Sequence, residues 1–282
     1  MKASNRLWGS LVALSVVTAV TAPSVALAGT TDTPTASKGQ LVALGDSITY
    51  GYNLGDNKAP SQQAFPYLIA EQQHLTTDDL GVPGWTSTDL LNALTNSSTM
   101  QTAVKNASVI TIDIGSNDLL QTALTYGALH ALDGSGTSDL ADSLSSAVTK
   151  MGENVGQIVK RVKTLNPKAA VVLYNIYDPI SSTDKTLYPV AEKAIGSGNV
   201  AISKVASQYH FPVADAYGAL HNHPEDILAN DVHPTVQGQA VLATQGEKAL
   251  SILHVGQYLN SPQAWQSIWN WFKQFTHWGL NG

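Results

Sequence analysis

The chain of 282 residues is 43% hydrophobic and 13% charged, has a formal charge of −6 and contains no cysteine. That length is enough for one large core, and roughly 250 residues suits a single α/β domain. An acidic chain without a Lys/Arg cluster excludes nucleic acid and electrostatic attachment to anionic membranes as partners. The lack of cysteine excludes disulfides and a lipid-modified lipoprotein.

Residues 1–28 have the pattern of a secretory signal cleaved after Ala28, which makes the protein secreted. Lys2 and Arg6 start it positively, residues 7–20 are apolar, and Ala26-Leu27-Ala28 supplies the small residues of a cleavage site. The apolar run is short and rich in threonine, unlike a membrane span. Removing the segment takes away two cations and no acid, so −6 becomes −8. Residues 29–39 are a Thr/Ser/Pro/Gly stretch without periodicity, read as a flexible leader.

The domain is expected over residues 40–256. Leu41-Val42-Ala43-Leu44 reads as a strand buried on both faces, ended by Gly45 and followed by Asp46-Ser47. On these residues alone, Ser47 is more simply a helix cap than a reactive group. A helix is expected over 64–74. The short apolar piece at 80–84 reads as a second strand end, and Thr86-Ser87-Thr88-Asp89 caps the next helix. The β-branched run at 107–114 is a strand ending in Gly115-Ser116-Asn117-Asp118. A long helix over 138–165, a strand over 169–176 and a helix over 189–209 follow. Gly196-Ser197-Gly198 interrupts the last of these. A fifth strand covers 211–216, a polar loop 221–231, and a final helix begins after Pro234.

Apolar strands alternating with helices predict a parallel sheet covered on both faces, in a single α/β domain. Parallel strands end along one edge, so Ser47, Gly84 and Asn117 converge there, and the loop holding His233 can reach the same edge. A serine nucleophile needs a base and donors aimed at the developing oxyanion. Ser47 with His233, the Ser47 and Gly84 amides, and the Asn117 side chain meet those needs.

Gly45-Asp46-Ser47-Ile48, Gly81-Val82-Pro83-Gly84, Gly115-Ser116-Asn117-Asp118 and His233-Pro234-Thr235 resemble, in order, the blocks of the SGNH (GDSL-type) hydrolase family. Each block alone is weak, whereas four in sequence at strand ends are specific. The resemblance implies a flavodoxin-like three-layer α/β/α sandwich with about five parallel strands. It also implies carboxylic ester hydrolysis through an acyl-enzyme on Ser47, without a cofactor. A polysaccharide O-deacetylase of the same family is the alternative; an inactive sugar- or surface-binding module is the reading from another class.

The family places an acid three residues before its histidine. Here that position is Asn230, with Asp231 one step later. The spacing favours Asn230 as the residue that orients His233. His221 and His223 flank Asn222 and lack a third metal ligand nearby, so they read as loop residues. In the aromatic segment 257–282, Trp265, Ile268, Trp269, Phe272 and Phe275 recur at helical spacing. That stripe reads first as a helix docked on the core, and second as a weak lipid-interface contact.

Overall fold

The computed structural model describes residues 39–130, 137–180, 183–185, 187–259, 262, 263 and 265–267. The signal-like segment, residues 29–38 of the leader and most of the C-terminal aromatic segment, including Ile268, Trp269, Phe272 and Phe275, therefore lie outside the described residues. Trp265 is described, and it is 64% exposed rather than packed into the core. No helix among the described residues is long and apolar enough to cross a membrane.

Five parallel strands form the sheet: β1 (Gln40–Gly45), β2 (Thr76–Asp79), β3 (Val109–Asp113), β4 (Ala170–Tyr174) and β5 (Val213–Ala214). Their order is β2-β1-β3-β4-β5, so the direction of winding reverses between β1 and β3. That reversal opens the crevice in which such sheets bind ligands. Leu41 to Leu44 are each 0% exposed because both faces of β1 are covered. Val42 and Leu44 pack with Ile110 and Ile112 on one face, while Leu41 and Ala43 pack with Val109 and Val172 on the other. The result is the three-layer α/β/α sandwich.

The first layer holds α3 (Ser87–Asn96), α4 (Ser98–Asn106), α5 (Ser116–His130), α6 (Thr137–Leu165) and α7 (Tyr188–Tyr209). The second holds α1 (Ser47–Tyr50), α2 (Phe65–Gln72), α8 (Ala216–Leu220) and α9 (Val236–Leu259).

Four expectations need correction. The second strand lies at Thr76–Asp79, upstream of the apolar piece at 80–84. It is a sheet edge bonded only to β1, and its half-exposed faces need no apolar run. The fifth strand is two residues long. Residues 116–130 are helical, although the chain over 123–137 reads from its sequence as a selectivity loop. Finally, α7 runs unbroken through Gly196-Ser197-Gly198. Gly198 is buried there, and a methyl group in its place would crowd Met151 of α6. It serves close helix packing, not a break.

Candidate active site

Asp46 caps α1 by accepting the Ile48 amide on Oδ1 at 2.9 Å, which seats Ser47 as the first helical residue. Gly45 is required just before it, because a side chain there would run into the Thr49 hydroxyl and the Asp113 carbonyl. The turn carrying Gly84 follows β2, with Gly84 at φ +85°, a region open mainly to glycine. Among the described residues, neither the Ser47 nor the Gly84 amide has a hydrogen-bond acceptor. Both stay available at the mouth of the crevice.

Asn117 stands in the first turn of α5. Its Nδ2 donates to the Trp85 carbonyl at 3.0 Å and, more weakly, to Asp46 Oδ2 at 3.3 Å. The carboxamide thus ties the Gly84 turn to the Ser47 turn. Gln121, one helical turn later, donates Nε2 to the Gly84 carbonyl at 2.8 Å. Asp118 accepts the Ser87 amide and hydroxyl at 2.8 and 2.6 Å, locking the start of α3 to α5. Two successive carbonyls, those of Gly84 and Trp85, are therefore held from one helix. That fixes the two peptide planes that follow Gly84, and so braces the turn from its C-terminal side.

The histidine loop is organised by its own side chains. Leu228 N donates to the His233 carbonyl at 2.9 Å and Asp231 N to the Leu228 carbonyl at 3.1 Å. Asn230 sits at φ +59°, a left-handed residue in the middle of this turn. Asp231 Oδ1 accepts the Val232 amide at 2.7 Å and meets His233 Nδ1 at 2.6 Å, while its Oδ2 accepts Asn53 Nδ2 at 2.7 Å. Asp231, not Asn230, holds the imidazole. The family spacing pointed to Asn230, but the left-handed residue turns the chain so that its neighbour faces the ring. Burial opposes ionisation of Asp231. Hydrogen bonds from Asn53, His233 and the Val232 amide outweigh it and hold the carboxyl below its usual range. With that carboxylate on Nδ1–H, Nε2 is left to accept a proton.

Tyr52 joins the two halves of the site. Its amide donates to the Ser47 carbonyl at 3.0 Å, and its ring lies 5.2 Å from that of His233. Gln239 makes a second tie: it donates Nε2 to the Ile48 carbonyl at 3.0 Å and accepts the Phe65 amide at 2.8 Å. Ser47 and Asn117 also border an apolar cavity of about 300 Å³, walled by Leu119, Leu120 and Leu144 and by Ile176, Ala194 and Ile195. His221 stacks on Tyr217 and His223 pairs with Glu225 at 3.0 Å.

The sequence profile of the GDSL-like lipase/acylhydrolase family matches residues 43–241, more than half of the chain. The chain belongs to that family. Among characterised relatives, the GDSL hydrolase is 26% identical over 207 residues to the spore germination lipase LipC of Bacillus licheniformis, covering 72% of this chain and 92% of that one. Its fold is similar to the lipase Lip_vut3 from a goat rumen metagenome, with a TM-score of 0.62, 22% identity and coverage of 75% and 97%. Phospholipase A1 from Streptomyces albidoflavus NA297 superposes with a TM-score of 0.61, 19% identity and coverage of 75% and 99%.

Four residues that secure this GDSL site escape sequence reasoning: Asn53, Gln121, Gln239, and Tyr177, whose hydroxyl donates to the Val232 carbonyl. Each acts on a distant main-chain or side-chain group, and no local spacing marks them. The sequence reading gives the helix cap to Ser47, whereas Asp46 is the cap and is also a buried acid. Burial pushes its carboxyl up to about 7, against the hydrogen bond from Ile48.

Proposed function

We propose that this GDSL hydrolase is a secreted serine esterase or lipase whose substrates carry an acyl chain of medium length. Ser47 Oγ attacks the ester carbonyl and passes its proton to His233, which the Asp231 carboxylate steadies as it becomes charged. The Ser47 and Gly84 amides receive the oxyanion, joined by the Asn117 amide group once it gives up its weaker bond to Asp46. His233 then returns the proton to the departing alcohol, and water releases the acid from Ser47 by the same steps.

The observation that carries this reading is the apolar cavity of about 300 Å³ beginning at Ser47 and Asn117. A cavity of this size has room for an acyl chain of several carbons. Acetyl would leave most of it empty. This favours a fatty acyl ester over the O-deacetylase alternative, and the free amides favour an enzyme over a binding module. The LipC relative, a lipase by name, supports the same choice. The signal-like residues 1–28 support export.

The test is a series of p-nitrophenyl esters from acetate to palmitate, with fluorophosphonate labelling of Ser47 followed by peptide mass. Hydrolysis should peak near octanoate or decanoate, and one fluorophosphonate should attach at Ser47. Acetate cleaved as fast as octanoate, together with faster release of acetate from acetylated xylan, would transfer the assignment to the deacetylase.

A further inference from the structure

Tyr177 stands where the apolar cavity meets the histidine turn. It lines the cavity together with Ser47 and Val232, and its hydroxyl donates to the Val232 carbonyl at 2.6 Å. The residue after Val232 is His233. Only 4% of Tyr177 is exposed, so water does not readily replace this bond. Burial, and then the charges of Asp113, Asp46 and Asp231, push the hydroxyl well above the usual tyrosine range. It therefore stays protonated, and remains a donor, at neutral pH.

The main chain leading to Tyr177 is held firmly. β4 ends at Tyr174, and side chains fix the two residues that follow. The Asn175 carboxamide donates to Asp215 Oδ1 and accepts the Tyr217 amide, each at 2.8 Å. Asn199 of α7 accepts the Ile176 amide and donates to the Ile176 carbonyl, again at 2.8 Å each. The same helix supplies Ala194 and Ile195 to the cavity wall. One helix thus walls the cavity and fixes the backbone directly before Tyr177.

The ring itself is less constrained than its backbone. It borders a cavity of about 300 Å³, and a side chain beside open space has other staggered positions within reach. A swing to one of them takes the hydroxyl off Val232 and loosens the turn before the base. An acyl chain in the cavity removes that room and keeps the ring against Val232. Given the reading above, in which the acyl chain fills this cavity and His233 is the base, binding at one end of the substrate then orders the group that acts at the other. We infer that Tyr177 is a positioning residue that couples filling of the acyl cavity to the placement of His233, so that acyl length governs turnover and not only binding. Binding energy used to order a catalytic group appears in kcat, whereas simple apolar contact appears in KM.

The experiment measures kcat and KM separately for p-nitrophenyl acetate, butyrate and octanoate, on the full-length protein and on its Tyr177→Phe variant. Phenylalanine keeps the ring in the wall and removes only the hydroxyl. In the wild-type protein kcat should rise about tenfold from acetate to octanoate, the effect of making one buried hydrogen bond secure. In Tyr177→Phe the octanoate kcat should fall about tenfold, to near the acetate value, with KM within about twofold of wild type. Acetate leaves most of the cavity empty, so its kcat should stay close to wild type. A wild-type kcat that does not change with chain length, while KM does, overturns the inference whether or not the variant folds, and leaves the esterase reading intact. An octanoate kcat unchanged in Tyr177→Phe overturns it too. So does an equal fall on all three esters, which would make the hydroxyl a structural tie alone. Failure of the wild-type protein to cleave any of the three overturns the esterase reading itself.

Discussion

The nucleophile turn and the histidine turn are built in opposite ways. Ser47 follows a strand buried on both faces, and its position comes from main-chain register, the Gly45 close approach and one capping carboxylate. His233 sits in irregular chain whose only sheet-like contact among the described residues is the isolated bridge between Ile227 and Pro234. Individual side chains hold it: Asn53 on Asp231, Asp231 on the ring, and the Tyr177 hydroxyl on the Val232 carbonyl at 2.6 Å. A core-built element tolerates loss of a functional side chain without moving. A loop pinned by single hydrogen bonds loses geometry in steps, one bond at a time.

The largest effect expected from this contrast is at Ser47. Ser47→Ala should lower kcat/KM for p-nitrophenyl octanoate on the order of 10⁴-fold or more, while the thermal midpoint stays close to wild type. The strand before it does not depend on the hydroxyl. A variant that folds normally and keeps a substantial rate would remove Ser47 from the chemistry.

On the histidine side, Asp231→Asn should cost on the order of 10²–10⁴ in kcat/KM, because an amide brings no charge to the imidazolium and permits the wrong tautomer. Asn230→Gly, which suits φ +59°, should stay within about twofold of wild type. The reverse pair of results would return the orienting role to Asn230 and break the account of this loop.

The same contrast explains what could be read in advance. The strand order's consequence, Ser47 and Asn117 meeting at one edge, was legible because buried strands announce themselves as apolar runs. The edge strand β2 carries Thr76-Thr77-Asp78-Asp79 and gives no such sign. The choice between Asn230 and Asp231 depended on one backbone angle. Spacing does not encode that angle, although asparagine's tolerance of left-handed backbone was a usable hint. Gln121 and Gln239 were invisible because their partners, Gly84 and Ile48, lie 37 and 191 residues away.

A smaller and more graded loss is expected where side chains brace the main chain near Ser47. Asn117→Ala should lower kcat by about 10²–10³, since it removes an oxyanion donor together with the tie to Trp85. Gln121→Ala removes only the bond to the Gly84 carbonyl, which loosens the turn just after the Gly84 amide without removing that donor. Roughly tenfold lower kcat with unchanged KM is expected. A change in KM alone would place Gln121 in ground-state binding and not behind the oxyanion.

The smallest expected effect is one of stability, and it arises from the core-built side. Asp113 ends β3 in register with Gly45, is almost fully buried, and its Oδ2 has no hydrogen-bond partner. Burial, and then the neighbouring Asp46, pushes its carboxyl well above the usual range; burial raises Asp46 to about 7. Between pH 4 and 7 the native state therefore binds more protons than the unfolded chain. The stability these two groups contribute is complete below the ordinary carboxylate pKa near 4. It is lost as pH rises through the raised native values. Asp113→Asn replaces the neutral acid with a neutral amide of nearly the same shape and removes one titration. The variant should melt close to wild type at pH 4 and about 5 °C higher at pH 8, with kcat within a few-fold of wild type. Equal destabilisation at both pH values would mean that the carboxyl makes a bond the amide cannot replace. Higher stability at pH 8 without loss of rate would show that this acid strains the nucleophile's foundation without serving its chemistry.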